Sequence, residues 1–296
     1  MAINGEAKLL LKTVFGEIGV PAHLTAEYGS IPITTYKYLD INSCYTRCSL
    51  KGRYAYFSNP TEFNDPFDRV IPIAYHLLGE NDELFINYFS AKLKRADPLA
   101  SSERISQQVS KLLKDSRSSD DMKELFMNIA AKSRQYLDEL VSSIAVYCTS
   151  LEKDNILLWS HYADKHTGIC LGINTYELLT TLKCAGGMVK YGQYPIINPF
   201  DEYDEAEAEK NYELMFLSKG EFWNYECEYR FSIFECSDRK QYFGSCIESL
   251  ILGSGISPQN REYAIRTCKA INPEIEIFEA KKKDFFFKLD IAKVDI

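Results

Sequence analysis

FWNYECEYRF, residues 222–231, sets two glutamates and an arginine at alternate positions among five aromatic side chains. Read as a strand, its side chains alternate between two faces. Glu226, Glu228 and Arg230 then share one face, and Tyr225, Cys227, Tyr229 and Phe231 share the other. The second is an ordinary core face. The first is either a solvated sheet edge, with Arg230 paired to a glutamate, or the floor of an active site.

What lies beside this strand decides the fold. Strand patterns recur at ITTYKYLD (33–40), at 53–58 within KGRYAYFSNP, at AVYCTS (145–150), GICLGIN (168–174) and CIESLILG (246–253), and last near EIEIFEA (274–280). A helical or turn segment is expected around INSCYTRCSL. A helix over DNILLWSHYADKH is capped by Asp154 or Asn155 and ended by Gly168, and a short helix starts at Pro258. Residues 6–19 read as an N-terminal helix stopped by Pro21. Residues 80–142 read as a helical insertion, with helices over 81–95 and 120–144 and a Ser-rich connection near 99–120. Strands resume on both sides of it, so the reading is a single α+β domain, 1–296, whose sheet is assembled from distant segments. No internal repeat interrupts this order.

Composition narrows the function. The net charge of −8 argues against binding through a broad positive field, although residues 201–210 (DEYDEAEAEK) concentrate much of the negative charge and leave room for a local basic groove. Nine scattered cysteines suit a reducing compartment. Cys44 and Cys48 lack a second pair at zinc spacing. The chain has no secretory leader pattern and no apolar run near the ~20 residues of a membrane helix. A soluble, cytoplasmic protein without a membrane partner is the expectation.

Four groups of residues can carry chemistry. Glu226 and Glu228 would reach one cleft as an acid–base pair. Lys37, between Tyr36 and Tyr38, can face an anionic ligand or simply the surface. Arg53, Ala55 and Phe57 alternate with Tyr54, Tyr56 and Ser58, and Asn64-Asp65-Pro66 follows as a rim or as turn chemistry. On the helix, Trp159, Tyr162 and Ala163 share a core face, while His161 turns toward a cleft or water. His161 and His166 sit about 140° apart around a helix, poor spacing for a metal.

Taken in order, Tyr-Lys-Tyr, Phe-Ser-x-Pro-x-x-Phe-Asn-Asp-Pro-Phe, Trp-Ser-His-Tyr-Ala-Asp-x-His-x-Gly and Trp-x-Tyr-Glu-x-Glu-Tyr-Arg resemble a widespread bacterial family known as a domain of unknown function. The resemblance runs from about residue 33 to 280. More distantly, the layout looks like the ADP-ribosyltransferase superfamily, a split β-sandwich that takes NAD as substrate. There a first strand holds NAD, a second ends in Ser or Tyr before a helix that clamps nicotinamide, and a late strand carries the catalytic glutamate. The resemblance implies Glu228 as catalytic residue with Glu226 assisting. It implies NAD contacts from Lys37, Tyr38, Arg53, Tyr56, Ser58, Asn64, Asp65 and His161, and no metal. Tyr147-Cys148-Thr149-Ser150 is an alternative second element that would displace Ser58. The acceptor would be a nucleic acid or a protein, the role that of a toxin or anti-phage effector, and an inhibitor partner would use the N-terminal helix. Two rival readings stay open. One is a Mg²⁺-dependent nuclease with Asp65, Asp68, Glu226 and Glu228 as ligands. The other is a non-catalytic ligand- or partner-binding module.

Overall fold

The computed structural model describes residues 31–68, 74–118, 141–196, 214–234, 236–242 and 246–295, with scattered positions from 124 to 139. The helix expected over 6–19 and the acidic stretch 201–210 lie outside them. By internal packing the chain divides into two compact units, one of residues 1–18, 65–142 and 193–218, the other of 19–64, 143–192 and 219–296.

In the first unit the helix Asp82–Ala96 begins where Asn81 accepts a hydrogen bond from Leu84 N at 3.0 Å. The Ser-rich stretch expected to be a connection is instead a second helix, Ser102–Ser118. Ile105, Val109, Leu112 and Leu113 recur at helical spacing and pack with Tyr75, Leu78, Phe85 and Tyr88. Burial of that stripe outweighs the weak helix preference of serine. Arg117 joins the two helices by an ion pair to Asp82 at 2.5 Å.

Among the described residues, the strands of the second unit are β1 (Thr34–Leu39), β2 (Tyr54–Tyr56), β3 (Ala145–Ser150), β4 (Ile169–Asn174), β5 (Ala185–Met188), β6 (Lys190–Gly192), β7 (Ser218–Gly220), β8 (Glu228–Ile233), β9 (Lys240–Tyr242), β10 (Ile247–Leu252), β11 (Glu276–Lys282) and β12 (Leu289–Lys293). Eight of them form one mixed sheet in the order β12-β11-β10-β4-β1-β3-β8-β5. Its helices are α1 (Cys44–Gly52), α2 (Ile156–Tyr162), α3 (Thr175–Leu182) and α4 (Pro258–Ile271). Strands β10 and β11 run parallel, with α4 between them in sequence. The α+β class expected from the strand and helix patterns is the class observed.

The sheet has a seam. β1 pairs with β4 along all six of its residues, and β3 pairs with β8 along all six of its own. Between β1 and β3 the register holds at one pair only, Tyr36 and Ser150. Apolar side chains cover both faces. Phe57, Tyr147, Leu171, Tyr229 and Phe231 belong to one core. Tyr38, Leu158, Trp159, Cys170 and Ile251 belong to the other.

Several boundaries differ from the expected ones. The strand expected over 53–58 is cut to three residues, because Arg53 is left-handed (φ 54°) and Ser58 makes an isolated bridge to Val146. Asn155, not Asp154, caps α2, accepting from Leu157 N and Leu158 N. That helix stops at Tyr162, since Asp164, Lys165 and His166 all take left-handed φ values. Gly168 therefore does not end the helix. A Cβ there would lie 2.3 Å from the Leu39 carbonyl oxygen, so the glycine lets β4 start flush against β1. Helix α4 runs for 14 residues, longer than expected, and β11 is followed by a further strand, β12.

Candidate functional site

The decisive stretch is a strand only from Glu228 onward. Residues Glu221–Glu226 form a 3-10 turn, and Cys227, left-handed at φ 42°, donates its N–H to Asn224 O at 3.2 Å to close it. A single αL residue cannot continue a pleated strand, so the alternation expected from Phe222 begins six residues late. Glu228 and Arg230 still share a face. Glu226 reaches them from the end of the turn rather than from the strand.

That face is neither a solvated edge nor an open floor. Glu226, Glu228, Arg230 and Lys219 are all buried, between 4 and 9 % exposed. Arg230 grips Glu228 through Nε at 2.8 Å and its terminal nitrogen at 3.0 Å. Lys219 Nζ lies between the two carboxylates, 2.6 Å from Glu226 and 3.2 Å from Glu228. Two carboxylates and two cations make the cluster neutral, the condition under which buried charges are tolerated. Tyr162 Oη donates to the remaining Glu226 oxygen at 2.7 Å. Burial alone would raise the Glu228 carboxyl, but the charge and hydrogen bonds of Arg230, with Lys219, hold it down to about 2. Glu228 is thus ionised across the whole working pH range.

Around the tetrad the backbone is pinned. Ser150 Oγ donates to Glu226 O at 2.7 Å, and Glu228 N donates to Tyr191 Oη at 2.8 Å. Asn155 Nδ2 donates to Tyr225 O at 2.7 Å, so the residue that caps α2 also ties that helix to the turn. Burial, then the charge of Glu228, raises the Cys148 thiol well above its usual range, which favours the protonated thiol here. Aromatic groups line the margin. The Trp223 ring lies 5.0 Å from Lys219 Nζ, the Phe63 ring 5.4 Å from the Arg230 guanidinium, and the His161 ring 6.4 Å from both Tyr162 and Tyr225.

Of the residues singled out, the structure gathers Glu226, Glu228 and His161. Tyr38 shares the Glu228 face of the sheet, and Lys37 lies behind that face, within electrostatic reach of both glutamates. Lys37 pairs in register with Leu171 and leaves β1 on the opposite face from Glu228, its ammonium donating to Cys148 O at 2.8 Å and lying 4.7 Å from the Tyr147 ring. Strand alternation is the reason, since Tyr36 and Tyr38 occupy the Glu228 face. Tyr38 is held by Trp159 edge-on and by a hydrogen bond from its hydroxyl to Glu152 O at 2.6 Å. Arg53 donates to Ala270 O at 2.8 Å, Tyr56 is half exposed, and Ser58 is engaged with Val146 through its backbone. Asn64 is exposed, and Asp65 accepts from Phe67 N at 2.8 Å as turn chemistry.

A divalent cation does not fit the pair. Lys219 and Arg230 occupy the positions where a metal would neutralise Glu226 and Glu228, and among the described residues no three His, Cys, Asp or Glu side chains cluster for one. No helix among the described residues is long and apolar enough to cross a membrane.

Lys219, Tyr162, Tyr191 and Ser150 escape a periodicity argument. Tyr162 is assigned to the core by helical spacing, yet it is 39 % exposed and its hydroxyl reaches Glu226. Its substitution by Phe should cost about 1 kcal/mol, one hydrogen bond to a charged group moderated by solvent access, as a shift in urea midpoint at constant slope. An unchanged midpoint would detach Tyr162 from the cluster.

Geometry therefore defines the class: an α+β protein with a neutral, buried Glu–Lys–Glu–Arg cluster at the head of β8, the strand next to the sheet edge. Residues 158–231, about a quarter of the chain, match a family model described as a protein of unknown function (DUF2971), and this region runs from α2 through the cluster to Phe231. No curated protein and no solved structure matches the chain.

Proposed function

We propose that the sheet unit is an ADP-ribosyltransferase that takes NAD as substrate and modifies a nucleic acid or a protein. One observation carries this reading: Tyr36, Ser150 and Glu228 lie in line across three neighbouring strands, β1, β3 and β8. These are the three parts that the resemblance calls for, an NAD-holding first strand, a second strand ending in Ser before a helix, and a late strand bearing the glutamate. β3 ends at Ser150, and α2 follows it. The eight strands form one sheet, and the single registered pair between β1 and β3 is where the split of a sandwich would have to fall. The same line favours the Tyr147–Ser150 segment over Ser58, and Tyr36 with Tyr38 over Lys37, as the NAD-facing elements.

In this mechanism the ionised Glu228 accepts a hydrogen bond from the nicotinamide-ribose 2′-hydroxyl and stabilises positive charge at the anomeric carbon. The C–N bond to nicotinamide breaks, its electron pair leaving with the ring. The acceptor forms the new bond to the same carbon, and Glu226 takes the acceptor's proton. Lys219, shared by both carboxylates, has to swing aside; that frees Glu226 Oε2 and opens a second acceptor position on Glu228 Oε2, which Arg230 still holds. An enzyme modifying macromolecules in its own cell would act as a toxin or anti-phage effector and would require an inhibitor partner.

A second reading has its own support. All four carboxylate oxygens of Glu226 and Glu228 are already taken by Tyr162, Lys219 and Arg230, as in a structural clasp within a non-catalytic binding module. Adenylate-labelled NAD incubated with the protein and a cell lysate separates the two. Label released by nuclease identifies a nucleic-acid modifier, and label released by protease a protein modifier. No incorporation and no loss of NAD would reject the transferase and leave the module.

A further inference from the structure

The hairpin joining β11 to β12 carries KKKDFFFK over residues 281–288, and every one of those residues is exposed. It is a built turn. Lys282 and Leu289 close the ladder, Lys283 N donates to Lys288 O at 3.0 Å, and Phe286 N donates to Lys283 O at 3.3 Å. Phe285, Phe286 and Phe287 are 102, 63 and 96 % exposed, in a protein that buries Trp159 completely. Phe285 also holds a left-handed φ of 65°, a conformation that a bulky side chain adopts at a cost. Three consecutive phenylalanines standing in water, one of them strained, ask for a partner surface.

Charge identifies the partner. Lys281, Lys282, Lys283 and Lys288 surround the phenylalanines against a single Asp284, a local excess of three positive charges (4 − 1) in a chain of net −8. Lys283 is the most engaged of them, 3.9 Å from Asp290 and 5.4 Å from the Phe286 ring. Exposed aromatic groups at a hairpin tip, flanked on both sides by exposed lysines, match the composition of a bilayer interface, apolar below and anionic above. A single-stranded nucleic acid is better served by a groove in which bases stack along the walls.

We propose that this hairpin tip docks on an anionic membrane surface, with Phe285–Phe287 inserted at the headgroup–acyl boundary and the lysines at the phosphate level. Neither signal suffices alone, and their combination gives reversible attachment. The proposal is independent of the transferase reading.

Co-sedimentation of the full chain with vesicles tests it. Equimolar phosphatidylcholine and phosphatidylserine should pellet the protein, with binding about tenfold weaker on phosphatidylcholine alone. Replacing all three phenylalanines by serine removes no buried contact and should reduce pelleting to background. Lys281→Glu with Lys282→Glu should weaken binding about tenfold or more at low salt. Failure of the wild type to pellet would overturn the proposal, as would a triple-serine variant that pellets like it. Capture of a single-stranded oligonucleotide through the same phenylalanines, without vesicle binding, would also overturn it and make the tip a nucleic-acid contact.

Discussion

Glu228→Gln is expected to lower ADP-ribosyl transfer by about 10²–10³-fold and to destabilise the fold by about 3–5 kcal/mol. From the strand pattern alone this variant should leave the fold intact. The buried cluster changes that expectation, because glutamine removes one of two negative charges that neutralise Lys219 and Arg230. An unpaired cation in a dry site costs far more than a lost surface pair. Activity loss in the single variant is therefore ambiguous by itself. Pairing Glu228→Gln with Arg230→Gln restores neutrality and should recover much of the stability without recovering transfer. Urea denaturation of the two variants reads the first effect, and NAD consumption the second. A double variant that is stable and still consumes NAD at the wild-type rate would remove Glu228 from catalysis. A single variant as stable as the wild type would show the cluster to be solvated.

Acid should expose the same coupling. The Glu228 carboxyl falls from its ordinary 4.5 to about 2 in the folded chain. The unfolded chain therefore takes up this proton first as pH drops. The stabilisation is complete above about 4.5 and is lost as pH falls from there through about 2. Integrated over that window it amounts to about 3 kcal/mol from this one group. Other carboxylates titrate in the same range, so the informative quantity is the difference between wild type and the doubly substituted, charge-neutral variant. That difference should shrink from pH 6 toward pH 2. A difference independent of pH would mean that Glu228 is not held down by Arg230 and Lys219.

Much of the sheet was legible because its strands carry strong local signals. β-branched and aromatic runs bounded by Gly, Asn and Pro mark β1, β3, β4, β10 and β11 near their observed limits. The helix Ser102–Ser118 was hidden by its serines, whose weak helix preference masks an apolar stripe that only a partner helix makes visible. FWNYECEYRF misleads for a comparable reason. Its alternation is real from Glu228, but nothing in residue type signals that Cys227 turns left-handed and shifts Glu226 onto a different element.

The site divides along the same line. The sequence by itself determined that two carboxylates and an arginine sit at alternate positions near aromatic groups, because that depends only on spacing along the chain. It also placed Arg230 beside a glutamate. Only the tertiary structure decided that these groups are buried, that Lys219 bridges both carboxylates, and that Lys37 faces away from them. Burial and counter-charge arise from which strands become neighbours, and β1, β3 and β8 are brought together across more than a hundred residues of intervening chain. Pairing of that range follows from the packing of the whole unit, and no local pattern encodes it.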